Sequence, residues 1–209
     1  MKKIILIIPF IFFIFTGFSQ TNDSVIEYYN EIATKAEFVA KGESQFHKPT
    51  RWESDIKIFI KGKPDSLIYN ELQKVIKELN DLIDPIEIKI VTNESESNLI
   101  AFFGLCTDYD KIDPLVIPYS GYNYGLSCLY SHNNIWYKGS FYVDVVRCDW
   151  FPQEEAIKMK KHILREELTQ SIGLLNDSMK YPNSIFYQGW EFPTEFTELD
   201  KQIIRMHYN

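Results

Sequence analysis

Apolar residues at helical spacing, and stretches of strict alternation, divide this chain into a series of elements. Ile26, Tyr29, Ile32, Ala33, Ala36 and Val39 share one helical face, which predicts a helix over residues 23–41, with Asp23 or Ser24 as cap and Gly42 as stop. Ile56, Ile58 and Ile60 alternate with Lys57, Phe59 and Lys61, the pattern of a strand over 55–61 with one face buried. Pro64-Asp65-Ser66 opens a second helix, whose Leu67, Leu72, Val75, Ile76, Leu79 and Leu82 form a stripe; Pro85 ends it. Strands are expected over 86–91 and 98–103. The run 104–124, rich in Gly, Pro and Tyr, reads as loop. Two further strands, 126–131 and 136–146, flank the turn-like His132-Asn133-Asn134.

Residues 157–177 carry a different pattern, and the chain is organised around them. On a wheel of about 100° per residue, Ile157, Leu164, Leu168, Ile172 and Leu175 fall on one face. Met159, Ile163 and Leu174 fall nearly opposite, interleaved with Glu166, Glu167 and Gln170, while His162, Arg165 and Thr169 take the sector between. A surface helix has one apolar stripe; two stripes mean packing on both sides. Leu168 is expected to face the sheet, and Lys160, on the flank, to be dispensable. The second buried side carries groups able to ligate a metal or move a proton, an unusual position for two carboxylates.

Ahead of these elements, Lys2 and Lys3 precede an apolar run from Ile4 to Phe15 and the small residues Gly17 and Ser19. This reads as a secretory signal peptide over residues 1–19; the run is shorter than the ~20 residues of a membrane span. Residues 20–209 then form one domain large enough for a core of its own, exported to the periplasm or the exterior, with no transmembrane span after the signal is removed. With 22 Lys and Arg against 29 Asp and Glu the net charge is −7, which argues against nucleic acid and anionic membranes as partners. No glycine-rich phosphate loop, G-x-S-x-G elbow or C-x-x-C occurs, so nucleotide, serine-hydrolase and cysteine–zinc chemistries are disfavoured. Of three cysteines, Cys128 and Cys148 flank the expected hairpin and are the expected disulfide pair, with Cys106 a buried thiol.

Glu166-Glu167-x-x-Gln170-x-x-Gly173-x-x-Asn176 has the stride of the zinc-binding helix of the metzincin peptidases, H-E-x-x-H-x-x-G-x-x-H. Ser184-Ile185-Phe186-Tyr187 resembles the Ser-x-Met-Tyr turn of their matrixin-like members. The run from Phe196 through Asp200, Ile203, Ile204 and Tyr208 resembles their last helix. Taken together, R-E-E-L-T-Q-S-I-G-L-L-N-D-S, S-I-F-Y and L-D-x-x-I-I-R-x-x-Y resemble the DUF2927 family, bacterial proteins that look like metzincin relatives whose ligand histidines have been replaced. The match covers residues 161–208; upstream only the order of elements agrees. It implies an α+β, metzincin-like domain: a twisted mixed β-sheet, an active-site helix beneath it and a small C-terminal subdomain.

Carried over residue by residue, the resemblance puts the metal ligands on Glu166, Gln170 and Asn176, with His162 or Asp177 as further candidates, and the general base on Glu167. Phe186 and Tyr187 form the structural turn. Zinc is implied by the resemblance, whereas carboxylate and amide oxygens suit calcium, magnesium or manganese. The alternative is a polar network in which Arg165 or Lys161 neutralises the buried acids and Thr169, Ser171, Asn176, Ser178 and Tyr187 supply hydrogen bonds. Two functions follow: an atypical or inactive metallopeptidase acting on peptide or protein, or a non-catalytic module that recognises peptide or cell-envelope material in the same cleft. The tyrosine-rich loop 119–124 is available to either.

Overall fold

The computed structural model describes residues 22–39, 42 and 44–209; the expected signal peptide lies outside them. Among the described residues the order is α1 (Asn22–Ala33), β1 (Arg51–Trp52), β2 (Ile56–Gly62), α2 (Ser66–Asn80), β3 (Ile88–Val91), β4 (Leu99–Phe103), α3 (Cys106–Tyr109), α4 (Ile117–Ser120), β5 (Gly125–His132), β6 (Ile135–Val143), α5 (Val145–Cys148), α6 (Gln153–Gln170) and α7 (Glu198–Tyr208). No helix among them is long and apolar enough to cross a membrane.

The sheet is mixed. β3, β2, β4 and β6 run parallel side by side, β1 joins the start of β6 in parallel, and β5 alone is antiparallel, paired to β6. Asn133 and Asn134, at φ 53° and 61°, make the tight β5–β6 turn. Two left-handed residues match the twist of the flanking strands, and asparagine tolerates that conformation. Register pairs Ala101 with Phe141 and Phe102 with Tyr142, so alternate residues enter two cores. Ile56, Ile58, Ala101, Phe103, Phe141 and Val143 join Leu72, Leu164 and Leu168 in the main core. Phe102, Leu126 and Tyr142 point the other way and pack with Tyr109 and Val116. The segment read as plain loop thus folds into α3, α4 and a 3-10 turn at Pro114–Val116, because the sheet's second face needs a cover.

α1 ends at Ala33, earlier than the apolar spacing predicts. Beyond it Lys35 pairs with Phe46 in an antiparallel bridge, and the Glu37 amide donates to the Leu175 carbonyl at 3.3 Å. Tertiary pairing overrides helix propensity here and brings Glu37 and Phe38 to the end of α6.

From Met159 on, α6 is buried nearly all round, including the sector between its two stripes: His162 and Lys160 are 4% and 6% exposed and Arg165 not at all. Lys160 is therefore not a free flank residue; its Nζ donates to Asp149 Oδ1 at 2.5 Å. The expectation that Arg165 or Lys161 neutralises the helix acids also fails. Arg165 donates to Glu78 at 2.5 Å and Glu71 at 3.2 Å on α2 and lies over the Phe196 ring, while Lys161 pairs with Glu71. Leu168, fully buried in the main core, is expected to cost about 2–5 kcal/mol on replacement by alanine. Lys160→Ala should cost about 1 kcal/mol, since Asp149 stays solvated. Urea unfolding of the two variants checks this; equal losses would show the buried face to be misassigned.

The cysteine expectation is corrected. Cys106, Cys128 and Cys148 are all thiols, and no disulfide joins Cys128 to Cys148. Cys128 pairs with Ser140 in the β5–β6 register and packs against the second core, whereas Cys148 lies in the main core. The sheet separates them. Burial pushes the Cys148 thiol up to about 12. Thiol titration of the unfolded, unreduced protein is expected to find three thiols; two fewer would restore a bridge.

After α6 the chain builds the C-terminal part around Asp200, which is fully buried. Its Oδ1 accepts from Ser184 Oγ at 2.5 Å and the Ile185 amide at 3.3 Å; its Oδ2 accepts from the Thr197 amide and hydroxyl, a capping box at the start of α7. Tyr28 of α1 bonds Ser184 at 2.9 Å, and Ile185 and Phe186 sit without exposure in the main core.

Candidate functional site

Glycine lets β5 lie against α6. A Cβ on Gly125 would meet Ile163 Cγ2 at 2.4 Å and Glu167 Oε1 at 2.6 Å. Two residues on, on the same face of the strand, Ser127 Oγ lies 2.8 Å from both Oε2 and the backbone carbonyl of Glu167. At the end of the helix Gly173, at φ 117°, turns the chain back so that Asp177 returns to the α6 face. Gln170 Nε2 donates to Asp177 Oδ1 at 3.0 Å. Asp177 also hydrogen-bonds Glu37, so one of these two carboxyls keeps its proton, and Gln188 Nε2 donates to Glu37 Oε1 at 3.2 Å.

The structure thus brings Glu166, Glu167, Gln170, Asp177 and His162 to one cleft of about 320 Å³, which Tyr187 also lines. Asn176 is not among its walls; its amide donates to the Asp177 carbonyl at 2.6 Å. Asp177, one residue further, takes the place that the spacing assigned to Asn176. Thr169 and Ser171 do not serve the acids either. Their hydroxyls bond the carbonyls four residues back, of Arg165 and Glu167, as such residues do within helices. Ser127, Glu37 and Gln188 serve them instead. None carried a sequence signal beyond polarity, and Glu37 lay in a segment read as helix.

Burial raises the carboxyls of Glu166, Glu167 and Asp177 well above their usual range, and their mutual repulsion with Glu37 adds to it; Ser127 opposes the shift at Glu167, and Gln170 at Asp177. His162 is pushed down to about 4 by burial. Its Nδ1 lies 2.9 Å from the Pro193 carbonyl, which can only accept, so the neutral ring carries its proton there and leaves Nε2 bare. Nε2 faces Glu166 Oε2 at 3.6 Å, beyond hydrogen-bond reach.

Trp190, Phe192, Tyr122 and Tyr124 complete the walls, with Tyr122 and Trp190 87% and 77% exposed. Arg147 holds the tyrosine loop: it donates to the carbonyls of Ser120, Gly121 and Asn123 and lies over the Tyr124 ring. A second cavity of about 390 Å³ shares Glu37, Phe38, Leu126 and Gln170 with the first and runs along residues 126–131 of β5, which has no strand on that side. The two make one groove.

The residues do not fit the metal that the resemblance implies. Among the described residues no three His, Cys, Asp or Glu side chains are placed to hold one ion. Gln170 spends its amide N–H on Asp177, which is bound to Glu37. Zinc's preference for imidazole and thiolate is met by His162 alone.

An α+β fold, with a mixed sheet over a buried helix and an acid-lined groove between that helix and an antiparallel edge strand, is the class the fold and site define. The family described as "Protein of unknown function (DUF2927)" matches residues 22–209, and the chain belongs to it. No curated protein matches the sequence. Among solved structures it is similar to the crystal structure of myroilysin, at 12% identity over 86% of this chain and 92% of that one, with a TM-score of 0.49. A structure of archaemetzincin (amzA) from Methanopyrus kandleri is 10% identical over 73% of this chain and 95% of that one, with a TM-score of 0.45.

Proposed function

We infer that this protein is a peptide-binding module rather than a hydrolase, exported as its charged-then-apolar start suggests, and that its groove holds an extended peptide beside β5. The observation that supports this is the pairing of an open strand edge with a continuous groove. Six consecutive residues of β5, 126–131, line one cavity, and the same groove leads over Gln170 to the second. An unpaired edge offers a row of backbone donors and acceptors, and an added strand satisfies them while side chains enter the flanking pockets. The helix groups that would drive hydrolysis are instead tied to one another: Gln170 to Asp177, Asp177 to Glu37, Glu167 to Ser127.

The test is an array of peptides as long as the eight-residue β5, probed for binding and for cleavage, with zinc, manganese or calcium supplied in turn. Binding without cleavage under every metal is expected. Cleavage that Glu167→Gln abolishes would overturn the module reading in favour of a metallopeptidase with Glu167 as its base.

A further inference from the structure

Four carboxyl side chains, those of Glu37, Glu166, Glu167 and Asp177, line the 320 Å³ cleft, and among the described residues no Lys or Arg lines either cavity of the groove. Of the cations on the helix, Arg165 and Lys161 are engaged with Glu71 and Glu78 on α2 and Lys160 with Asp149, while Lys158 is exposed to solvent. Buried acids without a cation are costly, and a site of this kind is complete only with one. Three of the four have hydrogen-bond partners of their own: Glu167 in Ser127, Asp177 in Gln170, Glu37 in Gln188. Glu166 has only the 3.6 Å approach of His162.

His162 adds a second acceptor to the cleft. Its side chain is 5% exposed, its Nδ1 is held by the Pro193 carbonyl, and its Nε2 lies at the cleft with no donor in reach. Nε2 is not sealed in: the buried side-chain atoms without a partner among the described residues are Arg165 Nε and His207 Nε2, and His162 Nε2 instead opens on the cleft. The two bare acceptors, Glu166 Oε2 and His162 Nε2, stand side by side. Phe192 packs edge-on against the His162 ring at 5.5 Å, and Trp190 packs against Phe192 at the mouth, 77% exposed. A carboxyl that an incoming cation would ionise, a second acceptor and an aromatic mouth together match the N–H donors and the positive charge of a basic side chain.

We propose that the Glu166–His162 pair, with Trp190 lining the same cleft, is a receptor for a basic side chain, lysine or arginine, of the peptide held in the groove. This names the ligand class for the groove and rests on the peptide-binding reading above. Glu166 supplies the charge, His162 a directed acceptor, and Trp190 a face for the alkyl stem and the cation.

The test uses the full chain without its first 19 residues and a panel of eight-residue peptides. In matched pairs, one position carries lysine in one member and norleucine in the other. The lysine member of at least one pair is expected to bind about tenfold or more tighter, the scale of a desolvated charge contact. Glu166→Gln, nearly isosteric, should remove that difference and leave norleucine binding unchanged, and His162→Phe should weaken only the lysine member. Equal affinity within every pair, or a lysine preference that survives Glu166→Gln, would overturn the receptor while leaving the peptide groove standing. If no peptide of the panel binds, the groove reading fails and the receptor with it. Melting curves of both variants guard against misfolding; if either melts well below wild type, Glu166→Asp, which keeps the charge and withdraws it by one methylene, must weaken the lysine member selectively.

Discussion

Replacing Gly173 with alanine is expected to destabilise the domain by about 3 kcal/mol or more, a larger loss than any exposed substitution would give. Two causes act together. At φ 117° a side chain is strained, and the space a Cβ would take is held by the Thr50 carbonyl at 2.6 Å, His207 Nε2 at 2.7 Å and Trp136 Nε1 at 2.9 Å. None of these neighbours is the loose end of a flexible chain: Trp136 Nε1 donates to Thr50 O at 2.6 Å, and His207 is 3% exposed. The melting temperature should fall by about 6–12 °C for a domain of this size. Gly121→Ala, at a position with negative φ and nothing within 4 Å of the added carbon, should change stability by about 0.5 kcal/mol or less. The loss at Gly173 should carry a functional mark as well, because the turn sets Asp177 against Gln170 and Glu37. A Gly173→Ala protein that melts like wild type would show the turn to be unstrained.

How much of this was legible in the sequence follows from which interactions are local. Period-two alternation placed β2, since Ile56 and Ile58 need only one apolar layer to declare a face. Asp65 declared the start of α2 through a cap bond to the Ile68 amide, and Asn133-Asn134 declared the hairpin through backbone conformation. The stride from Glu166 to Gly173 likewise located the helix and its turn. What stayed hidden depends on which surface a segment meets. The early end of α1 is set by Phe46 and Leu175, far along the chain, and the short helices after β4 by the second face of the sheet. His162 and Lys160 look like flank residues because the wheel cannot show that Pro193 and Asp149 arrive from outside the helix.

The candidate site divides in the same way. Glu166, Glu167 and Gln170 were found because they share a face within little more than one turn of one helix. The register of the final position was missed by one residue: the turn after Gly173 leaves the helical repeat, so counting by three no longer says whether Asn176 or Asp177 faces inward. The Cys128–Cys148 pairing failed because hairpin proximity in sequence ignores the sheet's two faces.

Glu167→Gln is expected to raise the stability of the protein, and to do so more as the pH rises. Glu167 is 5% exposed, and burial, with Asp177 and Glu37 nearby, lifts its carboxyl well above the usual 4.5. A group whose folded value lies above its unfolded value contributes its full stability below the unfolded value, and loses it as the pH climbs through the folded one. Wild type therefore gives up stability through this group as the pH rises above about 4.5, whereas the glutamine variant has no proton there to lose. Glutamine also keeps an oxygen for Ser127, 2.8 Å away, so the contact survives. His162 and His207, both pushed down to about 4 by burial, act with the opposite sign: below about pH 6.5 the unfolded chain takes protons that the fold refuses. They titrate in both proteins, and subtracting one melting curve from the other removes them. The difference in melting temperature should be near zero at about pH 4.5 and reach several degrees at about pH 8, since ~1 kcal/mol moves a domain of this size by about 2–4 °C. A variant that melts below wild type at pH 8 would mean that the Glu167 carboxylate is stabilised by a cation bound in the cleft, and the metal-dependent reading of this helix would then return.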